Sequence, residues 1–220
     1  MARAICVARG FDLVSPERGP RFREGPIYVY GPARKMFASR AAMSLEKPKV
    51  APTVETARLI LRAHTLEDYP DSVAMWSDPD VTRFIGGKPA TAEETWARVL
   101  RYAGHWALMG FGYWLIAEKS SGRFAGEMGF AEHRREMNPG FDDAHEIGWS
   151  LMPHSHGKGF ATEAVAAAIA WHDAQFGRMR TACMIAPENA PSIRVAEKAG
   201  YTEYAQTKYK GNPTLLFERR

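Results

Sequence analysis

Apolar residues recur with two different periods along the chain, and the change from one period to the other predicts both strands and helices. A β-like run covers residues 56–62, and a short helix over 66–76 follows the cap-type residue Thr65. A turn is expected at 77–80, and a Thr-x-x-Glu capping box then begins a helix over 91–108. The residues expected on the apolar face of that helix are Trp96, Val99, Leu100, Ala103 and Ala107.

The rest of the chain continues this alternation with glycine-marked turns. The β-like runs lie at 113–118, 124–130, 146–152, 180–185, 201–208 and 214–219. A long helix is expected over 161–176, ending at Gly177, and a short one over 191–199. The order predicts a mixed α/β fold whose sheet is mostly antiparallel at first and is crossed over by the long helix.

Residues 1–52 lack this patterning. Repeated Gly-Pro and other X-Pro pairs predict a flexible leader in front of a single domain over 53–220. Residues 1–52 hold ten Lys/Arg against four Asp/Glu, whereas 53–220 hold 19 against 21. The leader has no apolar core of a secretory signal, and its acidic residues argue against an organelle-targeting peptide. A start codon placed too far upstream explains it as well as a function does.

Composition narrows the class of protein. Of the 220 residues, 45% are hydrophobic and 25% charged, which is typical of a globular protein, and no apolar run reaches the roughly 20 residues of a membrane-spanning helix. Cys6 and Cys183 have neither metal-ligand nor redox spacing, so we expect no disulfide framework and a cytoplasmic location. The slightly acidic charge of the domain argues against a nucleic-acid partner and favours an amine-bearing substrate.

A glycine-containing turn, His-Gly-Lys-Gly-Phe-Ala-Thr at 156–162, lies between a predicted strand and the long predicted helix. Gly157 and Gly159 let the backbone approach a ligand closely, and the first amides of a helix have no intrahelical partner. These features attract phosphate, although the spacing is neither that of a P-loop nor that of a dinucleotide fingerprint. An ordinary strand-to-helix turn explains the same residues equally well.

Three segments carry a specific resemblance. They read Glu-Ile-Gly-Trp-Ser-Leu at 146–151, Gly-Lys-Gly-Phe-Ala-Thr-Glu-Ala at 157–164 and Asn-Ala-Pro-Ser-Ile-Arg-Val-Ala-Glu-Lys-Ala-Gly-Tyr at 189–201. Together they resemble the GNAT N-acetyltransferase superfamily, and within it the ribosomal-protein-alanine acetyltransferase (RimJ/RimL-like) branch. The resemblance covers about 53–220 and implies an α+β GNAT fold with a mixed, mostly antiparallel sheet of about six to seven strands, about four helices and a splayed central strand pair.

The resemblance also implies a site for acetyl-coenzyme A. The pyrophosphate would lie against backbone N–H groups of the glycine turn, and the pantetheine arm would pair with the strand before it. His156 departs from the family pattern, which has Gln or Arg there, so weaker side-chain support is expected. The implied donor-binding residues are Ser150, Leu151, Met152, His156, Gly157, Lys158, Gly159, Phe160, Ala161, Thr162 and Asn189.

Glu146 is the candidate general base, because it begins the strand in which the superfamily often places a proton-accepting carboxylate. An exposed strand carboxylate without catalytic duty is the alternative, and Glu127 on the neighbouring strand is the reserve. The acceptor decides how much a base is needed. At pH 7 an α-amino group costs only about 1 kcal/mol to deprotonate, whereas a lysine costs roughly 4.6 kcal/mol.

Asn189 and Ser192 begin the short predicted helix at 191–199. Asn189 suits its cap, and its side-chain oxygen would accept from the Ser192 N–H because Pro191 has no N–H. The resemblance implies in addition that Asn189 holds the pantetheine and that the Ser192 hydroxyl donates to the departing thiolate. Other branches use a tyrosine four residues further along, where this chain has Ala196, so Ser192 or water would serve.

We therefore expect an enzyme that moves an acetyl group from acetyl-coenzyme A to a primary amine, first of all a protein N-terminal amine, by direct attack in a ternary complex. A small-molecule acceptor, such as an aminoglycoside, a polyamine or an amino-acid-derived amine, stays open. So does a coenzyme-A-binding module without turnover. No metal is expected, since the histidines at 145, 154 and 156 fit no zinc pattern. Neither a membrane nor a nucleic-acid partner is expected, and the protein would be a monomer or a homodimer.

Overall fold

The computed structural model describes residues 47–141 and 143–220. Most of the predicted leader lies outside these residues, so its flexibility stays a prediction. The last leader residues pack on the domain. Ala51 is buried in the core, and the Pro52 carbonyl accepts a hydrogen bond from the Trp114 indole at 2.8 Å.

Eight strands in the described part of the chain form one sheet in the order β1-β2-β3-β4-β5-β6-β8-β7. Their bounds are β1 Val54–Glu55, β2 Leu59–Arg62, β3 Tyr113–Glu118, β4 Phe124–Ala131, β5 His145–Leu151, β6 Thr181–Ile185, β7 Thr202–Tyr209 and β8 Asn212–Arg219. All neighbouring pairs are antiparallel except β5 and β6, which are parallel. The predicted mixed, mostly antiparallel α/β fold is confirmed.

The helices lie between the strands in the predicted order. Their bounds are α1 Tyr69–Trp76, α2 Pro79–Thr82, α3 Ala92–Met109, α4 Phe160–Phe176 and α5 Ala190–Lys198. The capping box that begins α3 is present, and α4 ends at Gly177 as expected. Among the residues that the structure describes, none of these helices is long and apolar enough to cross a bilayer.

Two elements were not predicted. The Thr56 N–H donates to the Leu59 carbonyl and the Leu59 N–H donates to the Thr56 hydroxyl. These bonds turn the chain after β1, so the expected 56–62 strand is shortened to β2. The predicted turn at 77–80 runs into the short helix α2, because the Asp78 side chain caps Asp80 and Pro79 occupies the first helical position. Local side-chain hydrogen bonds set both boundaries.

The predicted apolar face of α3 is wrong. The helix buries Thr95, Val99, Tyr102 and Trp106, while Trp96 is 39% and Leu100 is 53% exposed. Both stripes have helical spacing and share Val99, so periodicity does not distinguish them. The Trp106 indole donates to the Tyr113 carbonyl at 2.9 Å, a bond that is available only when the Tyr102 and Trp106 side faces the sheet.

The two faces of the sheet carry separate cores. On one, here called the α4 face, α4 packs Ala164, Val165 and Ala168 against sheet residues that include Trp114 and Phe130. On the other, the α1 face, Met75 and Trp76 of α1 pack against Leu115 and Phe124. The functional geometry depends on which of the two faces a residue points to.

The central strand pair is splayed, as the resemblance implies. Strands β5 and β6 pair only at His145–Thr181 and Glu146–Ala182. Beyond Glu146 strand β5 stays paired with β4 as far as Leu151, but it loses β6. A gap therefore opens between two parallel strands toward their carboxyl ends, which is where α/β sheets commonly bind ligands.

Candidate active site

The glycine turn lies at the open end of this gap. Gly157 and Gly159 both have positive φ, +73° and +76°, and α4 begins at Phe160 with Gly159 as its N-cap. The first helical hydrogen bond runs from the Glu163 N–H to the Gly159 carbonyl, so the amides of 160–162 are left without a helical partner. A methyl group added to Gly157 would meet no atom within 4 Å, which shows an open backbone surface. The turn thus has the geometry of an anion cradle.

Contacts from the turn between β1 and β2 and from the first turn of α4 hold the glycine turn in place. The Arg58 guanidinium donates to the Lys158 carbonyl at 2.8 Å and pairs with the Glu163 carboxylate at 2.6 Å. Thr56 adds a hydrogen bond to Glu163 at 2.6 Å. Partial burial acts to raise the pKa of Glu163, but the bonds from Thr56 and Arg58 outweigh it and hold that pKa below its usual value. Sequence reasoning missed this brace, because it joins residues about a hundred positions apart.

Two side chains of the turn make contacts within the chain. The Lys158 ammonium lies 3.2 Å from the Glu118 carboxylate, a contact that lowers the pKa of Glu118. The His156 ring nitrogen Nε2 lies 2.9 Å from the Leu151 carbonyl. Main-chain N–H groups therefore dominate the surface that the turn offers to a ligand.

The end of β5 offers fewer free groups than the sequence suggests. The Met152 N–H donates to the Ala125 carbonyl at 2.9 Å, and its carbonyl accepts from the Ser155 N–H at 2.8 Å. Ser150 and Leu151 pair with β4 on one side and face the gap on the other. Of the three predicted pantetheine contacts, Ser150 and Leu151 lie where β6 no longer covers β5, but the Leu151 carbonyl already contacts the His156 ring.

Glu146 lies at the point where β5 and β6 part. It is only 6% exposed, and both carboxylate oxygens accept hydrogen bonds from Arg135, at 2.6 and 2.7 Å. Burial acts to lower the pKa of Arg135, but its bonds to Glu146 raise it overall. The exposure that the alternative assumed is therefore wrong, and Glu146 is half of a buried ion pair. No pattern in the 133–144 loop identifies Arg135 as its partner.

Glu127, the reserve base, is fully buried on the α1 face. Its oxygens accept hydrogen bonds from the Ser72 hydroxyl at 2.8 Å and the Trp76 indole at 2.9 Å, and His64 lies 3.4 Å away. Burial acts to raise the pKa of Glu127, but these contacts with His64, Ser72 and Trp76 lower it overall. Glu127 fastens α1 to the sheet and is closed to a substrate.

Helix α5 borders the gap from the β6 side. The Asn189 side chain caps it by accepting a hydrogen bond from the Ser192 N–H at 3.3 Å, which confirms the predicted cap. The Ser192 hydroxyl is half-buried, whereas Ala196 is fully buried in the core. The turn after β5 and the start of α5 after β6 thus face each other across the carboxyl ends of the diverging strands.

The histidines form no metal centre in the described part of the chain, where no three His, Cys, Asp or Glu side chains lie close enough to hold an ion. His145 Nδ1 lies 2.8 Å from His172 Nε2, and His154 Nε2 lies 3.2 Å from the Phe124 carbonyl. Burial lowers the pKa of His172 to about 4. These contacts give the histidines roles in packing.

Known proteins resemble this chain in sequence and in fold. A family model described as an acetyltransferase (GNAT) domain matches residues 58–202. The uncharacterized N-acetyltransferase p20 of Bacillus licheniformis is 30% identical over 150 residues, which cover 68% of this chain and 82% of p20. A structure from Bordetella pertussis, described as a GnaT-family acetyltransferase, is 32% identical with a TM-score of 0.70 and covers 77% of this chain and 99% of its own.

A more distant structure shares the fold alone. RimL, a ribosomal L7/L12 alpha-N-protein acetyltransferase solved in complex with coenzyme A, is 17% identical with a TM-score of 0.63. The likeness covers 76% of this chain and 97% of RimL. At this identity it does not assign this chain to the RimL branch.

Proposed function

Since the chain belongs to the GNAT acetyltransferase family, we propose that it transfers an acetyl group from acetyl-coenzyme A to a primary amine, first of all a protein N-terminal amine. The acetyl group would pass directly to the amine in a ternary complex. The observation that carries the proposal is the gap between β5 and β6, with the open amides of the glycine turn at its mouth.

The donor site is proposed from backbone groups. Amides of 157–162 would hold the pyrophosphate, and the free edge of β5 at Ser150 and Leu151 would hold the pantetheine arm. Met152, His156 and Asn189 would border the arm, although their hydrogen bonds lie within the chain. Acetyl-coenzyme A supplies the acetyl group as a thioester, and the chain's part is to orient it.

The acceptor class follows from proton chemistry. Glu146 remains the proposed proton acceptor, directly or through water, but the Arg135 guanidinium already occupies both of its oxygens. Such a carboxylate suits an acceptor that needs little help. An α-amino group, which costs about 1 kcal/mol to deprotonate at pH 7, therefore fits better than a lysine side chain at roughly 4.6 kcal/mol.

Ser192 is proposed to donate a hydrogen bond to the departing sulfur. Its backbone N–H is engaged by Asn189, so the half-buried hydroxyl is the group that could turn toward the gap. A thiol with a pKa of about 8.5 needs only modest assistance to leave.

The test is thiol release from acetyl-coenzyme A by the purified full-length chain with matched amines. One peptide carries a free N-terminus and no lysine, and its partner is blocked at the N-terminus and carries one lysine. An aminoglycoside and a polyamine complete the panel. We expect the free N-terminal peptide to be turned over fastest, with the acetyl group on its α-nitrogen by mass spectrometry.

Other outcomes redirect the proposal. Turnover of the small molecules alone would replace the protein acceptor with a small-molecule one. A thermal shift with coenzyme A but no thiol release with any amine would identify a binding module. No shift and no release would remove the donor site itself.

A further inference from the structure

Tyr113 reaches across two strands to the edge of the gap. It lies opposite Gly129 of β4, which in turn lies opposite Gly148 of β5. Two glycines in register leave the α1 face of the sheet without side chains along this line. A methyl group added to Gly148 would collide with the Tyr113 hydroxyl, so that hydroxyl lies directly over Gly148.

The Tyr113 ring is held rigidly on this path. It stacks on Tyr102 of α3, with ring centroids 4.6 Å apart and planes within 5° of parallel. The Tyr102 ring in turn lies 5.1 Å from that of His64. Stacked aromatic rings have few alternative rotamers in such a layer, so the hydroxyl position is well defined.

Gly148 marks the start of the gap. The last pair between β5 and β6 is Glu146–Ala182, so Gly148 is the second residue of β5 beyond it. The Tyr113 hydroxyl therefore stands over the first open stretch of β5, on the α1 face. The opposite face is filled by the core that α4 and α5 share. An acceptor that enters from the α1 face would meet this hydroxyl as it reaches the gap.

The hydroxyl is also chemically available. No hydrogen bond to it is formed by the residues described, and Tyr113 is half-buried, whereas Tyr102 is buried. Burial, followed by the charge of Glu146, raises the pKa of Tyr113, and Arg135, Arg98 and Arg101 oppose that rise only in part. The hydroxyl thus stays neutral at physiological pH, when its oxygen can accept a hydrogen bond from an amine N–H.

We propose that Tyr113 is a further catalytic residue, whose hydroxyl oxygen accepts a hydrogen bond from the acceptor amine and fixes its nitrogen at the opening between β5 and β6. This inference rests on the proposed function. Tyr113 lies on β3, outside the three sequence segments that carry the family resemblance.

The test compares three variants with the full-length wild type: Tyr113→Phe, Gly148→Ala and the two combined. Tyr113→Phe should lower kcat/KM for the amine about tenfold, the scale of one lost hydrogen bond, and leave KM for acetyl-coenzyme A unchanged. Gly148→Ala should cause a similar loss by displacing the hydroxyl. The double variant should be no worse than Tyr113→Phe alone, because the collision involves the hydroxyl that is already gone.

Controls separate this from a packing effect. Tyr204→Phe removes the hydroxyl of another half-buried tyrosine, on β7 and away from the gap, and should keep wild-type kinetics. Calorimetry of the amine binding to the coenzyme-A-saturated protein should show the same loss for Tyr113→Phe. Wild-type kcat/KM in Tyr113→Phe, or strictly additive losses in the double variant, would overturn the inference while the proposed function stood. A wild-type protein that turns over no amine would overturn both.

Discussion

The two sides of the gap are built from different materials. On the side proposed to bind the donor, six consecutive residues at 157–162 present backbone amides, and two glycines set their conformation. On the α1 face, side chains from separate elements meet: Tyr113 from β3, Arg135 from a loop and Glu146 from β5. A backbone site repeats in any sequence that keeps its glycines, whereas a side-chain site can change with each substitution.

The largest effect is expected where the α1 face depends on one ion pair. Arg135→Met leaves the Glu146 carboxylate buried and unpaired, which should lower the free energy of unfolding by about 3 to 5 kcal/mol in urea denaturation. The matched control is Arg134→Met, whose side chain is 83% exposed beside Glu132 and should change stability by less than about 0.5 kcal/mol. Equal losses of stability in Arg134→Met and Arg135→Met would contradict the assigned importance of the buried ion pair.

Substitutions in the glycine turn should weaken donor binding by changing the backbone geometry. Gly159→Val forces a β-branched residue to adopt a φ of +76° in the cradle, and we expect KM for acetyl-coenzyme A to rise about tenfold to a hundredfold in steady-state assays. Gly177→Val imposes at least as much strain, at a φ of +75° and a ψ of 167°, at the other end of α4 and serves as the control. A donor KM that does not distinguish the two variants would argue against the phosphate cradle.

A smaller effect is expected at Ser192, on the β6 side of the gap. Ser192→Ala keeps the Asn189 cap, because that bond uses the Ser192 backbone N–H. If the Ser192 hydroxyl assists the departing thiol, its removal should lower kcat by no more than about tenfold and leave both KM values unchanged. Ser121→Ala in the exposed turn between β3 and β4 is the matched substitution. A wild-type kcat in Ser192→Ala would mean that water, and not Ser192, assists the departing thiol.

The smallest effect is expected at Glu163, whose bonds with Thr56 and Arg58 hold the glycine turn in place. Glu163 has a lowered pKa in the folded chain, so its ionised form stabilises the protein above its usual pKa of about 4.5, and that contribution disappears as the pH falls through the lowered value. Glu163→Gln should therefore be less stable than wild type by about 1 kcal/mol or less at pH 7. Urea denaturation below pH 4.5 should show this difference shrinking, and a difference that grows instead would reverse the assigned sign.

Local signals in the sequence predicted much of the fold. The Thr91 to Glu94 capping box and Gly177 mark the ends of α3 and α4 within one residue. The order of strands and helices followed from alternating periods and glycine-marked turns. The position of the glycine turn before α4 followed from its own short segment, because neighbouring residues determine the backbone geometry of a turn.

Long-range contacts were out of reach. The partner of Glu146, the enclosure of Glu127 and the path of Tyr113 all depend on which residues of distant strands lie opposite one another. The orientation of α3 was missed for the same reason, since two helical stripes share Val99 and only the bond from Trp106 to Tyr113 separates them. A single sequence contains no local sign of such pairings.

The brief contact between β5 and β6 leaves two bare strand edges inside the sheet rather than at its margins. Only two residue pairs join the five-stranded part, β1 to β5, to the three-stranded part, β6 to β8. Ligand amides that lie in the opening would complete the ladder and tie the two parts together. Saturation with coenzyme A should therefore slow hydrogen exchange at the gap-facing amides of 147–151 and raise the melting temperature, so that the substrate serves as a structural member of the sheet.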